Sequence, residues 1–225
     1  MATRLYFHNA SNAQTGTFPT VEQSAAAATQ TATGANTLRT MDTSLGTTVA
    51  SLAVTTGANT TAQNHFMGYF CSPPLDVAQT VGGGTMILNG AETESNLAAN
   101  WWINSLNIYV WRPSTGTKVG TIRDAAGTSL GGTEPTAASS RQVTHITGIT
   151  SSAVSAAAGD VVICEVWIRA TQGASMSYTG TFFYNGTTVT TTENTVVTSH
   201  ASFIELTENL TFESEARART YVIIV

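Results

Sequence analysis

The side chains that could do chemistry are few and widely separated. The four histidines, His8, His65, His145 and His200, are spread along the whole chain. None has the short spacing of a paired metal ligand. The four aspartates, Asp42, Asp76, Asp124 and Asp160, each lie near a strand end or turn, where a carboxylate caps backbone amides. Glu92 and Glu94 are two residues apart, as are Glu213 and Glu215, and in a strand such a pair shares one face. Paired carboxylates can serve a glycosidase or hold calcium. Their commoner use is to discourage mispairing at a sheet edge. Gly82-Gly83-Gly84 lacks the lysine and hydroxyl residue of a phosphate loop, and there is no Gly-x-Ser-x-Gly or Cys-x-x-Cys sequence. Cys71 and Cys164 fall in apolar runs and read as two buried thiols. The expectation is a protein that is not an enzyme, with no catalytic residue, cofactor or metal.

Aromatic residues are the other candidates. Residues 101–112 hold three of the chain's four tryptophans, Trp101, Trp102 and Trp111. Strand alternation puts Trp102, Leu106, Ile108 and Val110 on one face and Trp101, Ile103, Tyr109 and Trp111 on the other. A row of Trp101, Tyr109 and Trp111 could stack on sugar rings, or pack beneath a second sheet or subunit. The matching run Val161–Arg169 presents Val162, Cys164, Val166 and Ile168 on one face and Glu165, Trp167 and Arg169 on the other. Both runs are apolar enough to be central strands. The first apolar set should pack against Val162, Val166 and Ile168.

The remaining chain supplies short strands at close spacing. They are expected at 3–7, 37–42, 48–55, 65–71, 86–88, 118–124, 142–149, 177–184, 194–199, 201–206 and 209–213, separated by turn signals. Asn89-Gly90 and Asn185-Gly186 carry the strongest short hairpin signal. Residues 8–36 are rich in Ala, Thr, Gln and Gly around Phe18-Pro19 and read as an irregular interaction arm, ordered only by contact with neighbours. The fold class is therefore all-β: a single jelly-roll-like β-sandwich, residues 1–225, of about a dozen short antiparallel strands.

Composition narrows the function classes. Charged residues make up 10% of the 225, against a usual figure of about 25%. Lys118 is the one lysine, and the net charge is −5. A basic stripe for nucleic acid is missing, as is any apolar run long enough for a membrane helix. The N-terminal residues lack the pattern of a signal peptide, which suggests synthesis in a bacterial cytoplasm. A surface of Thr, Ser, Asn and Gln suits extended protein contact, because few charges need desolvating. Tyr221, Ile223 and Val225 lie in a final apolar run that must be covered. They join Phe18, Trp101, Tyr109 and Trp111 as expected partner or oligomer contacts.

Three stretches carry a resemblance. They are Met1-Ala2-Thr3-Arg4-Leu5-Tyr6-Phe7, the middle with Val119-Gly120-Thr121-Ile122-Arg123-Asp124, and the end with Ser199-His200-Ala201-Ser202-Phe203-Ile204-Glu205-Leu206. Together they resemble phage virion structural proteins. The resemblance implies a jelly roll, a trimer and a place in the virion. It further implies a capsid decoration protein that cements major capsid subunits, with a tail, baseplate or fibre component as the alternative. A host-glycan-binding module is the reading from another class.

Overall fold

The computed structural model describes residues 2–24, 28–57, 61–124, 130, 132–171 and 177–213. The early strands are β1 (Thr3–Ser11), β2 (Gln30–Thr31), β3 (Leu38–Asp42), β4 (Ala50–Thr55), β5 (Gln63–Cys71), β6 (Gln79–Val81) and β7 (Thr85–Glu94). The later ones are β8 (Trp101–Arg112), β9 (Thr117–Asp124), β10 (Gln142–Thr150), β11 (Val154–Ala156), β12 (Val161–Ala170), β13 (Thr179–Tyr184) and β14 (Phe203–Leu206). Twelve of them form one sheet along the path β4-β13-β7-β14-β1-β3-β5-β12-β8-β9, with β10 on β7 and β2 on β5. Strands β6 and β11 make a small second sheet.

The large sheet folds back on itself as a sandwich. Close approach between its two halves fixes where glycine is needed. A Cβ at Gly180 of β13 would meet the Trp101 ring of β8 at 2.0 Å, and one at Gly90 of β7 would meet Ile103 Cδ1 at 2.7 Å. Phe7, Phe70, Phe182 and Tyr184 fill the centre, with Phe7 and Phe70 stacked at 4.4 Å between centroids. Aromatic burial of this kind removes about 150–250 Å² per ring from water. Most pairings are antiparallel, but β2 and β3 both run parallel to β5, so the sheet is mixed.

Two expectations are corrected by this topology. Asn89-Gly90 is no hairpin: both residues lie inside β7, paired to His145 and Thr144 of β10. Gly90 serves close packing across the core, and Asn89 donates from Nδ2 to Thr190 O. Asn185 does turn the chain, with φ 61, but it leads into a long irregular segment rather than a return strand. Within that segment the expected strand 194–199 is reduced to an isolated bridge, Gln142 to Val196.

The arm is the second correction. Residues 8–11 belong to β1, and Gln30–Thr31 make β2. The rest of its described residues lie along the chain's own sheet. Gln14 Nε2 donates to Ser72 O, Trp111 Nε1 to Thr17 O, and Tyr69 OH to Pro19 O and Asn36 O. Its ordering partner is the outer face of β5, β12 and β8, which carries Phe66, Tyr69, Trp167, Tyr109 and Trp111. Bare, that face would be a large apolar patch.

Candidate functional site

The expected contact residues do not form one surface. In the β8–β12 ladder the register runs Trp167 to Ser105, then Ile168 to Ile103. The extra residue on β8 is a β-bulge, and it reverses which side chains face the core from there to Trp101. Trp101 and Ile103 thus join Leu106, Ile108 and Val110 on the inner face, while Tyr109 and Trp111 stay outside. The predicted row of Trp101, Tyr109 and Trp111 is broken by this flip. Trp101 stacks on His65 at 5.2 Å; Tyr109 and Trp111 meet edge-on at 6.3 Å beneath the arm. All three are buried, at 1%, 0% and 6% exposure, and Phe18 is half-buried against the same core. Leu106, Ile108 and Val110 are buried as expected, but Val166, Cys164 and Val162 are their neighbours within the sheet rather than a facing layer. Tyr221, Ile223 and Val225 lie outside the described residues, as does Glu215.

The scattered polar residues form separate small assemblies. Asp160 accepts both Arg112 Nε and Nη2, at 2.8 and 2.7 Å, and also the Ala157 amide. This pins the turn between β11 and β12. Asp42 accepts from the Ser44 amide and hydroxyl and lies 3.1 Å from His8 Nε2. Serine, aspartate and histidine thus meet, but with aspartate in the middle. The His8 ring nitrogens meet Asp42 and Asn185 rather than the Ser44 hydroxyl, so a nucleophilic triad is not assembled there. Burial opposes the charge on both partners. For His8 burial is the largest single influence, but the charge and hydrogen bond of Asp42 together with the Asn185 and Ser44 bonds outweigh it and leave the pKa raised. For Asp42 it is outweighed by the His8 and Ser44 bonds, which take the carboxyl down to about 2.

The sequence puts Glu165 on the face with Trp167 and Arg169 but gives it no role. It projects from β12 onto the outer face under the arm and is fully buried. Its Oε1 accepts the Gln23 amide at 2.6 Å and Tyr109 OH at 3.2 Å. Its Oε2 accepts Asn107 Nδ2 at 2.9 Å and Trp167 Nε1 at 3.4 Å. Burial is the largest influence and raises the carboxyl pKa, against four hydrogen bonds that favour its charge. The sequence signal was a lone acid inside the apolar run Val161–Ile168, with Asn107 at the matching place in β8. A buried carboxyl needs donors, and the arm supplies one of them.

Glu92 and Glu94 point inward from β7, not outward as edge charges. Glu92 accepts the Thr144 hydroxyl and the Ile103 amide, the latter at 2.7 Å; Glu94 accepts the Trp101 amide at 3.2 Å. Among the described residues, strand β9 covers β8 over Asn107–Arg112. The two carboxyls thus satisfy amides at the start of β8, before the part paired with β9. Among the described residues no group of three His, Cys, Asp or Glu is placed to hold a metal ion. Cys71 and Cys164 are free buried thiols on adjacent strands. One open surface groove, about 690 Å³, is lined by Gln30, Thr31, Thr33, Ser51, Ala53, Val54 and Thr55, away from these acids.

No protein-family model and no curated protein sequence matches the chain. Among solved structures it is similar to a CocE/NonD family hydrolase from Staphylococcus aureus, at 10% identity and a TM-score of 0.44, over 92% of this chain and 36% of that one. It is similar to an alpha-amino acid ester hydrolase at 10% identity and a TM-score of 0.34, over 65% of this chain and 25% of that one. A chain of infectious bursal disease virus, Gx strain, shares 9% identity at a TM-score of 0.29, over 72% of this chain and 36% of the other. The chain thus spans about a third or less of the length of these structures. All three likenesses are distant and transfer no activity to it.

Proposed function

We propose that this chain is a non-enzymatic structural protein of a bacteriophage particle, and that it decorates the capsid, cementing neighbouring major capsid subunits from the outside. The observation that carries the reading is the charge-poor surface on a closed sandwich, with charged residues at 10% of the chain. Such a surface loses little by dehydration over a wide contact. The resemblance to phage virion proteins points the same way. The carbohydrate-binding alternative rested on an exposed aromatic row, and Trp101, Tyr109 and Trp111 are buried. That leaves it without a platform.

The test is cryo-electron microscopy of the intact particle, fitted with this fold. Density at the joints between major capsid subunits is the expected result. Density confined to the tail would reassign the protein within the particle, and its absence from the particle would refute the proposal. Purified protein should also raise the melting temperature of capsids that lack it.

A further inference from the structure

A sheet edge is a row of unpaired amides and carbonyls that pairs readily with another strand, and folds close their edges in recognisable ways. Strand β9, at one end of the large sheet, carries Lys118, Arg123 and Asp124 and shifts register twice against β8. The Ser152 amide also donates to its Ile122 O at 2.8 Å. The outer edge of β10 is bonded to the segment after β13, through Val143 N to Thr195 O, Asn194 N to Val143 O and Val197 N to Arg141 O. At the start of β8 the Glu92 and Glu94 carboxyls accept the Ile103 and Trp101 amides. Strand β4 ends the sheet on the opposite side from β9, and among the described residues it has none of these devices. It reads Ala50-Ser51-Leu52-Ala53-Val54-Thr55, with no charge, no proline and no register shift against β13.

Alternation fixes which groups of β4 face outward. Thr56 N donates to Tyr178 O at 2.8 Å, so Val54 and Leu52 are the next residues bonded to β13. On the far side of β13, Ser95 N donates to Thr179 O, which gives β13 the matching alternation. The N–H and C=O of Ser51 and Ala53 therefore point away from β13, and the groove walled by Gln30, Thr31 and Thr33 lies alongside. Leu52 and Val54 are buried in the core, while the Ser51, Ala53 and Thr55 residues are exposed. The pattern of the strand indicates its occupant. Read from either end, residues 51–55 give hydroxyl, apolar, alanine, apolar, hydroxyl. Two copies set antiparallel about Ala53 bring Ser51 opposite Thr55, Leu52 opposite Val54, and Ala53 opposite its own copy. Hydroxyl pairs and apolar pairs both favour such a ladder, and no charge meets itself. The outward groups of Ser51 and Ala53 fall at the bonded positions of that register.

We propose that β4 is a self-pairing edge: two copies of this chain join antiparallel through residues 51–55, across a two-fold axis at Ala53, and their sheets become one. The contact is isologous, so it closes at two copies and leaves neither β4 edge open. It makes a dimer, where the resemblance to phage virion proteins implies a trimer. It does not depend on a place in the capsid.

The test is sedimentation velocity on the full chain at micromolar concentration, where the unaltered protein should run as a dimer. Ala53 is exposed, so Ala53→Lys and Ala53→Glu leave the monomer intact. Each sets a charge against its own copy and should weaken association about fivefold or more. An equal mixture of the two should regain the dimer, because lysine then faces glutamate across the axis. Should either variant fail to fold, Ala53→Cys should give a covalent dimer on mild oxidation, since the native Cys71 and Cys164 are buried. A chain that stays monomeric, one that forms a trimer, or a dimer that both charges leave unchanged overturns the proposal. So does a mixture that stays apart, or an Ala53→Cys protein that does not cross-link. Association lost only when residues 221–225 are removed would also overturn it, and would make that run the strand that pairs.

Discussion

Glu165 shows how one buried acid can organise its surroundings. Four donors from β8, β12 and the arm converge on it. Glu165→Ala would leave Asn107, Tyr109 and the Gln23 amide unpaired in a dry place, so it should destabilise the fold by ~3 kcal/mol or more in denaturant unfolding. Glu165→Gln keeps one acceptor oxygen and should cost clearly less. If the two variants are equally harmless, the ring of hydrogen bonds contributes nothing. Gly180 is the opposite case, a position defined by the side chain it lacks. A Cβ there overlaps the Trp101 ring at 2.0 to 2.4 Å, and that ring is confined by His65. Gly180→Ala should therefore cost ~1–3 kcal/mol, the range for overpacking, or prevent folding. An unchanged melting curve would show that Trp101 can move aside.

At the scale of elements, the arm is held mainly by bonds to backbone carbonyls, and Tyr69 contributes two of them, at 3.0 and 3.1 Å. Tyr69→Phe removes both while keeping the ring against Phe66. Hydrogen exchange should quicken across residues 12–24 and 28–36, with a loss in global stability of only ~1–2 kcal/mol. Exchange unchanged in the arm would mean that apolar contact alone holds it. The arm also marks the limit of what the sequence discloses. Val161–Ala170 and Trp101–Arg112 announced themselves as central strands because apolar side chains occupy both of their faces. Alternation assigned Leu106, Ile108 and Val110 to the core correctly, and failed at Trp101 because one extra residue in β8 reverses the pattern. A bulge leaves no mark in a hydropathy pattern. Asn89-Gly90 failed for a related reason: glycine permits a turn and also permits a neighbouring layer to come close, and only the fold decides between them. The arm looked unable to fold because it carries few apolar residues, yet Tyr69, Tyr109 and Trp111 were the missing half of its environment. Glu92 and Glu94 were legible as a same-face pair, but which face was not.

For the whole molecule, the ionisable groups buried in the fold combine into a defined dependence of stability on pH. Glu92 and Glu94 hold protons in the fold that the unfolded chain gives up near its ordinary value of 4.5. Their contribution therefore declines from there until pH passes about 7 and 8. His8, raised by Asp42, adds to that decline above its ordinary value of 6.5. His65 and His200 act in the other direction. Burial pushes both down to about 4, so between 6.5 and 4 the unfolded chain takes up protons that the fold refuses, and stability falls as pH falls. Asp42 adds a further loss as pH drops from 3.8 through about 2. Between about pH 4.5 and 6.5 the raised glutamates, with Glu165 acting in the same direction as Glu92 and Glu94, and the two histidines oppose each other, one set losing what the other gains. Above that window only the declining contributions remain, and below it only the acid-side losses do. The urea midpoint should accordingly be nearly level from about pH 4.5 to 6.5 and fall on both sides. Glu92→Gln should flatten the alkaline fall and leave the acid one in place; His200→Gln should do the reverse. A midpoint that keeps rising from pH 6.5 to pH 8.5 would mean that Glu92 and Glu94 are ionised inside the fold, and would remove the physical basis for a protonated end of the sandwich.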